Sequence, residues 1–127
     1  MLWDNGDYKM IRLLEPYFYF PDSRGTITGV VQEGNWKEIN IINSKKGSRR
    51  GDHYHKLSNE LFIILKGKVK VHLYMIGNRE YRSTIVVTPR DAFIVPPCVH
   101  HTFEILEEST WINALDRIEK DDFYKTS

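Results

Sequence analysis

The sequence predicts an all-β, single-domain barrel closed as a jelly roll, with a short C-terminal tail. Three observations carry that expectation. Short apolar and β-branched runs recur along the chain, each bounded by Gly, Pro, Asn, Asp or Ser, the pattern of a sandwich or barrel. Residues 68–74 alternate without a break: Val69, Val71 and Leu73 fall on one face, Lys68, Lys70, His72 and Tyr74 on the other. That strand is half buried, and His72 shares its wet face with lysines. Finally, 127 residues suit one core, and jelly-roll closure manages the edges that so many short strands would expose.

Taken in order, residues 1–19 form an N-terminal arm, 20–115 the barrel and 116–127 the tail. Strands are expected at 17–20, 25–31, 37–43, 51–55, 60–66, 68–76, 81–87, 92–95, 101–104 and 110–115, where β-formers cluster. Turn chemistry separates them at 21–25, 44–47, 66–67, 77–78, 88–91 and 96–97. Residues 105–109 lack strand character, and the tail reads as a short helix or a lid over the barrel mouth.

Composition narrows the function classes. The formal charge is +1, so no nucleic-acid or anionic-membrane partner is expected. The basic residues Lys45, Lys46, Arg49 and Arg50 are interrupted by Gly47-Ser48 and read as a solvated loop. Cys98 is the lone cysteine, which excludes an internal disulfide and points to the cytoplasm. The opening MLWDNGDYKMIRLL carries acidic residues and no apolar stretch long enough for a signal peptide or membrane span. Long apolar strands and an aromatic content of 13% predict a homodimer that covers an open sheet edge, with the segment before Phe20 as the crossing arm.

The chemistry concentrates between Gly47 and Gly67. Five residues separate Gly47 from His53-Tyr54-His55, four more lead to Glu60, and six more to Gly67. Histidines at i and i+2 point to one face of a strand, and a four-residue turn over 56–59 brings Glu60 back beside them on the neighbouring strand. Glu60 opens the apolar run Leu61-Phe62-Ile63-Ile64-Leu65, so a carboxylate facing inward there must be paired or metal-bound. Pro96-Pro97-Cys98-Val99-His100-His101 supplies a second histidine pair, whose members face opposite ways on a strand. Nitrogen and oxygen donors converging inside a barrel suit a first-row divalent ion.

This spacing resembles the first motif of the cupins, and a second motif counted from Pro96 places His101 at its ligand position. That implies a metal on His53, His55, Glu60 and His101, with zinc, manganese, iron and nickel all open. Cys98 stands where the second motif has glycine, so a turn without positive φ is expected there. Two further segments resemble nucleotide-sugar cupins: Asp22-Ser23-Arg24-Gly25, and Arg50-Gly51-Asp52-His53-Tyr54-His55 followed by Asn59-Glu60. These relatives are deoxysugar 3,5-epimerases, 3,4-ketoisomerases and the cupin domain of bacterial capsule-sugar reductases. The resemblance implies that Arg24 and Arg50 bind the nucleotide diphosphate, and that His53, His55 and His100 are the candidate catalytic residues.

The implied reaction, in surface-polysaccharide biosynthesis, removes a proton beside a 4-keto group, which needs a base and a stabiliser for the enolate oxygen. His53 cannot be ligand and base through one nitrogen. The metal-free epimerases carry Gln at the position of His55 and the metal-free ketoisomerases Gln at that of Glu60, so this chain keeps the metal-type set. Two alternatives stand beside this reading. One is a metal-dependent cupin oxygenase or phosphosugar isomerase, which would not need the arginines. The other is a non-catalytic metal- or sugar-binding cupin.

Overall fold

A computed structural model of the chain describes residues 10–118 and 123–125, which form strands and no helix. In chain order these are β1 (Arg12–Leu14), β2 (Phe18–Asp22), β3 (Gly25–Gly29), β4 (Glu38–Ser44), β5 (Arg49–His55), β6 (Glu60–Met75), β7 (Asn78–Val87), β8 (Ala92–Val95), β9 (Val99–Leu115) and β10 (Phe123–Lys125). The long strands β6 and β9 pair antiparallel from end to end and carry the rest. The main sheet runs β1-β8-β6-β9-β5-β10, with β4 also on β9 and β7 also on β6. Hairpin β2–β3 forms a separate two-stranded sheet. Architecture and strand content make this the all-β cupin-like barrel that the sequence predicts.

The core follows from the alternation. Val69, Val71 and Leu73 are buried and face Ile105, Phe103 and His101 across the β6–β9 register. Phe62, Ile64, Phe93 and Trp111 complete the interior, and full burial of each such side chain contributes about 1.5–3 kcal/mol over exposure. The ring pairs Phe62–Phe93, Phe62–Phe103 and Phe103–Trp111, with centroids 4.7–5.2 Å apart, line one continuous wall.

Several expectations need correction. Gly67 does not end a strand: β6 passes through it at φ 93°, with register shifts against β9 on both sides. A Cβ there would run into Ser109 Oγ and the Glu108 carbonyl, so glycine marks a bulge and not a turn. Residues 105–109 are strand, because Ile105 and Ser109 are buried opposite that bulge. Of the expected arm, residues 1–9 lie outside the described residues, whereas Met10 and Ile11 are core and β1 pairs with β8 of the same barrel. In the tail, residues 116–118 form neither helix nor strand and 123–125 form strand β10 on β5, while 119–122 and 126–127 lie outside the described residues.

Cys98 also departs from expectation, for it adopts φ 67°. Its N–H donates to the His55 carbonyl at 2.7 Å and its carbonyl accepts from Ile76 N–H at 3.1 Å, so both backbone groups are tied. Those bonds hold a left-handed turn that the side chain alone would disfavour.

Candidate functional site

Strand β5 delivers two histidines to the barrel interior through a local distortion. Gly51 sits at φ 88° and Asp52 at φ 61°, and the β5–β9 register shifts between Gly51 and His53. A Cβ on Gly51 would lie 2.7 Å from the His101 carbonyl, so only glycine lets the two strands close here. Beyond the bulge His53 pairs with His101, and the His53 and His55 rings lie 5.1 Å apart as i, i+2 neighbours. The bulge turns Asp52 outward.

Glu60 arrives differently from the expectation. Its strand β6 pairs with β8 and β9 and not with β5, so Glu60 reaches the histidines across the interior. Its Oε1 lies 3.0 Å from His101 Nε2 and 3.4 Å from His55 Nε2. One donor atom from each of His53, Glu60 and His101 falls within 4.8 Å of the others. His55 stands beside this trio, its ring 6.3 Å from that of His101. Glu60, His55 and His101 are all buried.

Protonation follows from the hydrogen bonds. His101 Nδ1 lies 3.1 Å from the Val99 carbonyl, which can only accept, so Nδ1 carries the proton. His101 Nε2 faces Glu60 Oε1 at 3.0 Å, and neither buried atom has a hydrogen-bond partner among the described residues. A proton on Nε2, or a cation bound by both atoms, would satisfy the pair. The second oxygen, Oε2, accepts from Asn113 Nδ2 at 2.7 Å. Outer partners on a backbone carbonyl and a side-chain amide are what metal ligands require, so the donor set fits a divalent ion. Burial works to raise the Glu60 pKa, but His101 and His55 outweigh it and hold the carboxyl well below the usual range. Burial and the nearby His101 push His53 down to about 4 against the opposing pull of Glu60 and the Gly51 backbone, leaving it neutral at pH 7.

A cavity of about 200 Å³ opens onto this cluster, lined by His53, Glu60, His101, Arg50 and the apolar wall of Ile42, Phe62, Phe103 and Trp111. The Arg50 guanidinium is fixed by Nε–H to Ser44 Oγ at 2.6 Å and by an Nη2 bond to the Asn43 carbonyl at 2.9 Å. Arg50 also borders an outer groove shared with Arg49, Gly51, Asp52 and Thr102. Arg24 does not join it: on the β2–β3 hairpin, largely exposed, it pairs with Asp22 at 2.6 Å and lines a separate shallow depression. Within this chain the two arginines do not form one clamp.

His100 points away from the cavity into an outer cleft, where its Nε2 lies 3.0 Å from Asp52 Oδ1 and its ring stacks on Tyr74 at 4.2 Å. Burial lowers its pKa against the pull of Asp52. His72 borders the same cleft, half-buried, 2.9 Å from Glu104, and is more engaged than its lysine neighbours suggested. The residues that sequence reasoning missed are Asn113 and Trp111. Both sit on the inward face of β9, and an amide alternating with Ile112 in an apolar strand was the available signal.

Residues 20–122 match the family model described as the polysaccharide biosynthesis C-terminal domain. No curated protein sequence matches significantly. Among solved structures, the chain is similar to QdtA, a sugar 3,4-ketoisomerase from Thermoanaerobacterium thermosaccharolyticum in complex with TDP, at 21% identity, over 91% of this chain and 88% of that one, with a TM-score of 0.76. It is also similar to the dTDP-6-deoxy-D-glucose-3,5-epimerase RmlC from Legionella pneumophila in complex with dTDP-4-keto-L-rhamnose, at 18% identity over 95% and 74% of the chains, TM-score 0.77. The WlaRB TDP-quinovose 3,4-ketoisomerase from Campylobacter jejuni aligns at 14% identity over 91% and 92%, TM-score 0.77. At these identities the likeness shows the fold. No helix of the described residues is long and apolar enough to cross a membrane.

Proposed function

The chain belongs to the polysaccharide biosynthesis C-terminal domain family, and from that premise we propose that it is a nucleotide-sugar epimerase or ketoisomerase. It moves a proton on the carbon beside a 4-keto group, in the assembly of a surface polysaccharide. The observation that carries this reading is the cavity itself, where a neutral histidine, an ionised carboxylate and a tethered arginine meet beside an aromatic wall. The ligands named for the solved relatives, TDP and a 4-keto sugar nucleotide, support the same substrate class.

Size assigns the parts. A volume of about 200 Å³ lies below the roughly 300–1,000 Å³ of pockets that enclose whole ligands. Only the sugar enters, and the diphosphate lies in the outer groove, where Arg49 and Arg50 offer forked donors. The apolar wall excludes water and strengthens every charge interaction inside.

A divalent cation is part of the proposal, with His53, Glu60 and His101 holding it and His55 beside them. When bound, such an ion acts as a Lewis acid that polarises a carbonyl oxygen. The low pKa of His53 favours the ligand role, since a base titrating near 4 is about three units below the optimum at pH 7. Without the ion, His53 is the cavity base. A homodimer and a cytoplasmic location complete the reading, the latter because the lone Cys98 is a free thiol.

The test is solvent exchange in deuterated water with a panel of 4-keto nucleotide sugars. Deuterium should enter beside the keto group; activity lost to a chelator and regained with added ion marks the metal version, and indifference marks the histidine-base version. A panel that shows neither exchange nor binding removes the nucleotide-sugar reading.

A further inference from the structure

Trp111 is 1% exposed and its side chain forms part of the cavity wall, yet its buried Nε1–H meets no acceptor among the described residues. Buried donors are paired in nearly all native structures, and an orphan one lowers stability, so it calls for an explanation. Packing does not supply it. The neighbouring wall is carbon, from Ile42, Phe62 and Phe103, and a phenylalanine at 111 would continue that wall without a stranded donor. Nor is the ring loosely placed: it packs on Phe103 at 5.1 Å, and its backbone is held between Ile42 of β4 and Ile64 of β6. The indole is a rigidly held donor on a side chain that lines the compartment of the histidines and Glu60.

Resting on the nucleotide-sugar reading, we infer that Trp111 Nε1–H donates a hydrogen bond to an oxygen of the enclosed sugar ring. The donor then selects among sugars. One that presents an oxygen toward β9 satisfies it, whereas one with a methyl group or hydrogen there leaves it stranded. Sites built to bond a substrate oxygen reject analogues lacking it far more strongly than apolar walls reject an extra methylene.

The experiment compares a 4-keto dTDP-sugar with dTDP alone, on the wild-type protein and on Trp111→Phe. Calorimetry should show the sugar nucleotide bound about tenfold more weakly by the variant, and dTDP bound equally by both. In ¹H–¹⁵N spectra of the wild type, Trp3, Trp36 and Trp111 give separate indole signals. The Trp111 signal should move with the sugar nucleotide and stay in place with dTDP. If Trp111→Phe does not fold, Trp3→Phe and Trp36→Phe assign the signal by elimination and the wild-type titration decides. An unmoved Trp111 signal, or equal weakening of both ligands, overturns this inference while the functional reading stands. A wild-type protein that binds neither ligand removes that reading, and this inference with it.

Discussion

His101 keeps its proton on Nδ1, against the Val99 carbonyl, so its other nitrogen, 3.0 Å from Glu60 Oε1, is the one that would bind the proposed cation. The supporting amide then matters as much as the ligands. Asn113→Ala should weaken divalent-ion binding roughly 10–100-fold, Glu60→Gln should weaken it further, and His100→Ala should leave it nearly unchanged, all by calorimetry on chelator-stripped protein. Equal losses in all three would mean that the outer cleft, and not the interior, governs the ion. The pH dependence has a definite sign. His53 titrates near 4 in the folded protein against 6.5 ordinarily, so between those values the unfolded chain binds more protons. Stability in the presence of chelator therefore rises from about pH 4 to 6.5 and is lost as pH falls through that window, by roughly 3 kcal/mol from this residue. Urea unfolding at pH 5 and 7 should show a smaller difference in His53→Asn than in the wild type; identical differences would assign the effect elsewhere.

The elements that shape the site are bulges, and these explain what the sequence discloses. Period-2 alternation made the core face of residues 68–74 legible, and the meeting of His53, Glu60 and His101, with His55 beside them, was legible because few other arrangements need a carboxylate at the head of an apolar strand. The run of β6 through Gly67 was not legible, since a glycine after a lysine reads equally as a turn until Ser109 is seen packed against it. The path of Glu60 was equally hidden, because hairpin logic is local and β9 inserts itself between β5 and β6 by long-range pairing. The outward turn of His100 followed from strand geometry, but its pairing with Asp52 depends on the bulge at Gly51. The glycines give a direct comparison. Both Gly67 and Gly77 have φ near 90°, but a Cβ collides only at Gly67. Gly77→Ala should cost about 1–2 kcal/mol for its backbone alone, and Gly67→Ala clearly more, by denaturant midpoint at unchanged slope. Equal costs would show that β6 shifts freely at the bulge.

At the scale of the whole molecule, the barrel leaves apolar surface that no described residue covers. Hairpin β2–β3 joins no other sheet, and Tyr17, Phe18, Tyr19, Phe20 and Ile27 on it are each about half exposed or more. Among the described residues strand β4 pairs with β9 alone, and its Ile39 and Ile41 are 67% and 70% exposed. Large aromatic side chains each carry about 150–250 Å². Spread over the hairpin and β4, these seven residues leave on the order of 600–800 Å² of apolar side chain uncovered by the described residues. Such a surface on an isolated chain is an aggregation hazard, and a second copy is the economical cover. The proposed homodimer accordingly predicts a single species of twice the 15.0 kDa chain mass in sedimentation at micromolar concentration. Replacing Ile39 and Ile41 together by lysine should shift it to monomer, since two buried charges facing their own copies repel. The change lies on the exposed face of β4, away from the core, so the folded spectrum should persist. A wild-type monomer at that concentration would count against the dimer, and a dimer unmoved by the double lysine variant would place the interface on another face.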